Sequence, residues 1–175
     1  MLAALVSHDG LHDSLTGLLS LPAFLDSATR IISSTIRSAG SVNLFLASLL
    51  VSDNSNARRL AISERRELAS MSESEIDELA ARMVTCSGIL RSEFREGDLV
   101  ARYTFGDFLI LTSGDYDVIN KKIESFGIES DVAIVGARID LSQKDNTTLG
   151  AQNVLLSTIA ALEAHGLMNE HGAPL

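Results

Sequence analysis

The chain has 175 residues, of which 46% are hydrophobic and 21% charged, enough for one soluble globular domain with a core of its own. A net charge of −9 and an isoelectric point near 4.8 argue against a general polyanion binder, so nucleic acid is not an expected partner. Cys86 is the single cysteine, which excludes an internal disulfide, and the four histidines lie too far from it in sequence to suggest a zinc site.

In chain order, residues Met1 to Leu11 read as a short helix or tail. Ser20-Leu21-Pro22 carries a capping serine followed by a proline in the first turn, which predicts a helix start. Leu25, Ala28, Ile32 and Ile36 then recur at helical spacing until Gly40. Val42 to Val51 is a nearly continuous apolar run, too short to span a membrane and suited to a central strand buried on both faces. With no basic region ahead of an apolar N-terminal stretch, no signal peptide is expected, and the default location is the cytoplasm.

Ser52 to Asn56 reads as a loop by composition, and Arg58 to Ser70 as a solvated helix. Ser72 and Glu75 form a capping-box pattern. The helix after it places Ile76, Leu79, Ala80, Met83, Ser87, Leu90 and Phe94 on one face and breaks at Gly97-Asp98. Leu99–Tyr103 and Phe108–Thr112 predict two short strands, with Gly106-Asp107 as the hairpin turn signal. Tyr116 to Phe126 predicts a helix ended by Gly127, Val132 to Leu141 a strand, Ser142 to Asn146 a polar loop, and Leu149 to Ala164 a last helix. The fold class is α/β in the α+β sense: a mainly antiparallel central sheet flanked by helices.

Three segments, in order, resemble the GGDEF (diguanylate cyclase) family. His12-Asp13-Ser14-Leu15-Thr16-Gly17-Leu18 is similar to its HDxLTGL opening, and Phe24 falls at its following phenylalanine. Arg95 to Arg102 is similar to the stretch leading into the signature hairpin. Thr104-Phe105-Gly106-Asp107-Phe108 stands where Gly-Gly-Asp-Glu-Phe would be, followed by the apolar Leu109-Ile110-Leu111. The likeness runs from His12 to Gly166 and is weaker towards the end, at Ala133–Ala137 and Ala160–Gly166. It implies a cyclase-like palm over residues 12–169, with residues 170–175 a disordered tail, in a bacterial, cytoplasmic signalling domain.

The resemblance also implies a degenerate active site. Joining two GTP molecules needs metal ions on the phosphates and carboxylates on the metals. The third signature position is Gly106, which has no ligand atom, and the first-strand carboxylate position falls near Ser48, Leu49 or Val51. The family's guanine-reading asparagine has no counterpart within Ser52 to Leu60, and its nucleotide-admitting glycines are Thr104 and Phe105. The phosphate-binding lysine corresponds to His165 and a later arginine to about Asn169. Asp107 and Asp53 read more simply as a turn residue and a loop cap than as metal ligands. No cofactor, no metal site and no cyclase activity are therefore expected.

Arg95 and Asp98 form an RxxD, with five residues between Asp98 and Thr104, a spacing that in the family marks an inhibitory site for cyclic di-GMP. An arginine fork suits phosphate or guanine O6 and N7, and the aspartate suits guanine N1–H and N2–H. Lys121 or Lys122 would stand in for the family's second arginine. The plainer alternative is that Arg95 and Asp98 only close a helix end. His8-Asp9 and His12-Asp13 read as caps and framework, and Arg58, Arg59, Arg65 and Arg66 with the two lysines as local basic patches or a solvated face. Tyr103 and Phe105 form an exposed apolar spot or pack against the hairpin. Three readings compete: a cyclic di-GMP receptor that relays occupancy to a protein partner, a ligand-free interaction or dimerisation module, and a residual enzyme, which would need GTP and magnesium binding that the sequence argues against. A sensory domain usually precedes such domains, and none is recognised in this sequence.

Overall fold

The computed structural model describes residues 8–53, 56–59, 71–130, 132–142 and 150–168. Helix α1 spans Leu21–Arg37 and begins as the motif predicts: the Ser20 hydroxyl accepts the Ala23 N–H at 3.4 Å, and Pro22 sits in the first turn, where its missing N–H costs nothing. Strand β1 spans Ser41–Asp53 and β2 spans Asn56–Arg59. Helix α2 covers Glu73–Glu93 and opens on a complete capping box between Ser72 and Glu75. Strand β3 is Leu99–Arg102, β4 is Asp107–Thr112, helix α3 is Tyr116–Ser130, β5 is Val132–Asp140 and α4 is Ala151–Met168.

β1 is the centre of an all-antiparallel sheet. β4 pairs one edge of it, from Asn43 opposite Thr112 to Ser48 opposite Asp107. β5 pairs the other edge, from Ser41 opposite Asp140 to Leu49 opposite Val132. β3 lies outside β4, and β2 folds back on the far end of β1. Alternate β1 side chains serve opposite faces. Phe45, Ala47 and Leu49 meet α2 and α3, while Val42, Leu44 and Leu46 meet α1 and α4. Two cores share one sheet, which explains why the strand reads as a nearly continuous apolar run from Val42 to Val51, broken only at Asn43 and Ser48, rather than an alternating one. The result is a helix–sheet–helix sandwich, the predicted α+β class.

Several boundaries differ from the sequence expectation. β1 and β2 take up residues 52, 53 and 56–59, expected as loop and helix, because polar composition does not stop backbone pairing: Ser52 faces Ala57 and Asp53 faces Asn56. The rest of that expected helix, residues 60–70, lies outside the described residues, as do 1–7, 143–149 and the tail from 169. Residues 8–11 are not helical. They bridge back onto Asp13, and Leu11 O accepts the Ser20 N–H at 2.8 Å. α2 ends at Glu93, where Phe94 turns extended, before the Gly97-Asp98 breaker. α3 passes through Gly127, since an interior glycine weakens a helix without forbidding it. α4 runs Ala151–Met168, shifted from the expected Leu149–Ala164.

Candidate functional site

The β3–β4 hairpin is built differently from the expected Gly-Asp turn. Tyr103 N–H and Thr104 N–H both donate to Asp107 O, at 2.8 and 3.3 Å, so the loop is Thr104-Phe105-Gly106 and Asp107 is the first residue of β4. The Leu49 N–H donates to Gly106 O at 2.8 Å, which docks the loop on β1. Asp107 is only 1% exposed and accepts a hydrogen bond from the Thr104 hydroxyl. Asp107 is thus a buried strand residue, not the turn residue expected. In register with it on β1 is the buried Ser48.

These residues do not fit a phosphate-bound metal pair. Gly106 offers no side-chain ligand, the Ser48 hydroxyl is a poor one for a hard divalent cation, and the buried Asp107 carboxylate already holds the Thr104 hydroxyl. Among the described residues no three His, Cys, Asp or Glu side chains converge on one point. Phe105 is half-buried against the α2 side of the core, and the Arg102 guanidinium lies 5.8 Å from its ring centre. Phe105 and Tyr103 therefore pack inward and form no exposed apolar spot. The Tyr103 hydroxyl donates to Glu163 Oε1 at 2.8 Å, tying the hairpin to α4.

Burial first, then the Glu163 carboxylate, hold the Tyr103 phenol well above its ordinary value of 10.0. An unfolded Tyr103 ionises near that ordinary value while the folded one stays protonated. Stability from this group is therefore complete below about pH 10 and is lost as pH rises further. Urea midpoints measured from pH 8 to 11 should fall along the upper part of the range, and Tyr103→Phe should flatten that fall. An identical alkaline slope in the variant would show that Tyr103 is not the group responsible.

The opening loop is held from two sides. The Asp13 carboxylate accepts the Thr16 N–H at 2.9 Å and its hydroxyl at 2.8 Å. It also receives Arg102 Nη1, 3.0 Å from Oδ2 and 3.3 Å from Oδ1. The two side chains are 7% and 3% exposed. Burial pushes the Arg102 guanidinium below its ordinary value and Asp13 pulls it back up. Arg102 Nε donates to Thr104 O at 3.0 Å, while Nη2 is buried with no hydrogen-bond partner among the described residues. From the other side, Ser87 Oγ and Arg91 Nη2 each donate to Thr16 O at 3.3 Å. Gly17, at φ +66°, takes the left-handed turn this loop needs. Asp9 acts as a local cap, accepting the Leu11 and His12 N–H groups, which lower its carboxyl below the ordinary value.

A second cluster forms where α2 ends. Arg95 and Asp98 make a tight turn: Asp98 N–H donates to Arg95 O at 2.9 Å, and Arg95 N–H donates to Asp98 Oδ2 at 3.0 Å. The Arg95 side chain is exposed, and its guanidinium has no ion pair or hydrogen bond among the described residues. Lys122, from α3, reaches this corner. Its Nζ lies 3.0 Å from Glu93 Oε2, also donates to Glu93 O, and sits 6.0 Å from the Phe94 ring centre. Lys121 is exposed, and no described contact ties its side chain to the corner. His165 is exposed on α4, and Arg58 and Arg59 lie in β2. Arg65, Arg66 and Asn169 fall outside the described residues, as does the Asp53 side chain.

The sandwich, the hairpin docked on the central strand and the loop clamped to its base define an α+β palm-like fold. More closely, the chain is a GGDEF-like domain in fold. It superposes on a microbial GGDEF domain described by a novel mode of interaction with bis-(3′,5′)-cyclic di-GMP, with 14% identity, a TM-score of 0.64 and 91% of each chain covered. The GGDEF domain of DgcB from Caulobacter crescentus, solved in complex with c-di-GMP, gives 14% identity and a TM-score of 0.64 over 90% of this chain and 88% of that one. The FimX GGDEF domain from Pseudomonas aeruginosa gives 17% identity and a TM-score of 0.62 over 90% and 94%. No protein-family model and no curated protein sequence matches the chain. No helix among the described residues is long and apolar enough to cross a membrane.

Three site contacts escaped the sequence reading: Asp13–Arg102, Tyr103–Glu163 and Lys122–Glu93. The first had a visible signal, because both residues lie within the motifs that carry the resemblance. The other two join residues 60 and 29 positions apart with no patterned spacing.

Proposed function

We propose that this chain is a catalytically silent GGDEF domain of cyclic di-GMP signalling. It binds cyclic di-GMP at Arg95 and Asp98, assisted by Lys122, and relays occupancy to a protein partner. The observation that carries the reading is the exposed Arg95 side chain just past the end of α2, two residues after Glu93, which holds Lys122. The Arg95 fork can pair with a phosphate or a guanine edge without breaking any described contact. The fold neighbour DgcB was solved with c-di-GMP, which supports the choice of ligand. The catalytic half of the reading rests on Gly106, Ser48 and the enclosed Asp107, a set unsuited to metal-assisted phosphoryl transfer.

Calorimetry of the purified chain with cyclic di-GMP, and separately with GTP plus magnesium, tests both halves. Micromolar binding of cyclic di-GMP is expected. Arg95→Ala should weaken it by about 10- to 150-fold, the equivalent of about 1.5–3 kcal/mol for a lost charge-assisted pair. GTP with magnesium should give no turnover. Formation of cyclic di-GMP would overturn the catalytic half, and binding indifferent to Arg95→Ala would overturn the assigned site.

The second reading, a ligand-free interaction or dimerisation module, draws on one contact. The Asp98 carboxylate already closes the Arg95 turn. The form of it that docks through Phe105 is disfavoured, because that ring is turned into the core. Silence with both ligands in calorimetry would select this reading.

A further inference from the structure

Resting on the receptor reading, we infer that Glu93 is an internal competitor for the anionic ligand, occupying Lys122 until ligand arrives. Glu93 is the last residue of α2, two positions before Arg95. Its carboxylate lies 3.0 Å from Lys122 Nζ, and its carbonyl accepts from the same ammonium. One lysine thus ties α3 to the end of α2 and caps a carbonyl of its last turn. The two side chains are 45% and 43% exposed, so the pair is solvated and weak enough to exchange.

Of the ammonium's three donors one meets the Glu93 carbonyl, and the Glu93 carboxylate is its ion-pair partner. A phosphodiester arriving on Arg95 can replace the Glu93 carboxylate on Lys122 while the carbonyl contact persists. Ligand binding then breaks one side-chain tie between α2 and α3 and leaves a free carboxylate next to bound phosphate. Glu93 therefore lowers affinity twice, by masking Lys122 and by repelling the ligand. It also sets a link between site occupancy and the seating of α3.

The test is cyclic di-GMP calorimetry on the full chain with Glu93→Gln, Lys122→Met and the double variant, at low and near-physiological salt. Thermal melts confirm that all three fold. Glu93→Gln should bind about two- to fivefold tighter, the scale of an exposed ion pair, with a larger gain at low salt. Lys122→Met should bind more weakly, and the Glu93→Gln gain should shrink in the Lys122→Met background, which locates the effect in the pair. Arg95-dependent binding that Glu93→Gln leaves unchanged or weakens overturns this inference alone. A gain of full size in the double variant does the same, since Glu93 would then act without Lys122. No binding to the natural sequence or to Glu93→Gln overturns the receptor reading and this inference with it.

Discussion

Asp13→Ala should be among the most destabilising single substitutions in this chain, costing about 3–5 kcal/mol because it strands a buried guanidinium. For a chain of this size that corresponds to a fall in Tm of about 6–20 °C. Arg102 is 3% exposed on its side chain, and Nη1 depends on Asp13 for both of its ion-pair contacts. Nη2 already lacks a partner among the described residues, so without Asp13 the guanidinium keeps only its Nε bond to Thr104 O among them. The same substitution removes the acceptor for both Thr16 donors and frees the opening loop from the hairpin base.

A double-mutant cycle separates the value of the pair from the penalty of breaking it. Asp13→Leu with Arg102→Met should be markedly less harmful than Asp13→Leu alone, because two apolar groups leave no charge stranded in the core. Chemical denaturation of the four proteins checks it. A cost below about 1 kcal/mol for Asp13→Ala would mean that water reaches Arg102, and the clamp would then be no part of the core.

The contrast between what could and could not be read from the chain follows from the range over which each interaction acts. Ser20 with Pro22 and Ser72 with Glu75 are caps closed within one helical turn, so the residues that make them are neighbours in sequence. β1 was visible because a strand buried on both faces is apolar at most positions, with Asn43 and Ser48 the exceptions between Val42 and Leu49. Asp98 was equally visible, yet its chemistry was open: the same carboxylate that would read guanine accepts the Arg95 N–H here. Arg102 and Asp13 were seen only as motif letters. Nothing local marks a charged pair 89 residues apart as buried, since burial there is created by β3, the opening loop and α2 together. Asp107 shows the same limit at short range. A Gly-Asp step reads as a turn, but the loop closed one residue earlier and pulled the aspartate into the strand.

Gly136→Ala should cost about 1–3 kcal/mol although alanine suits a strand better than glycine, because the space its methyl needs is filled. Gly136 faces Phe45 across the β1–β5 pairing, and a methyl there would come within 2.5 Å of Phe45 Cε1 and 3.2 Å of the Tyr116 hydroxyl. The ring cannot simply swing aside. Phe45 is fully buried and stacks on Tyr116, with ring centres 5.6 Å apart and planes at 16°. Phe45→Ala alone should cost about 3–5 kcal/mol as a cavity mutation. The two should not add: once the ring is gone the alanine at 136 has room, so the double variant should be about as stable as Phe45→Ala by itself. Equal and additive losses in denaturant melts would show that the ring and the glycine do not constrain each other. The contact also reaches the proposed site. Tyr116 begins α3, the helix that carries Lys122 to the Arg95 corner, so a ring displaced by Gly136→Ala shifts the seat of that helix. The variant should therefore bind cyclic di-GMP more weakly at a temperature where it is still fully folded, which a wholly local packing defect would not do.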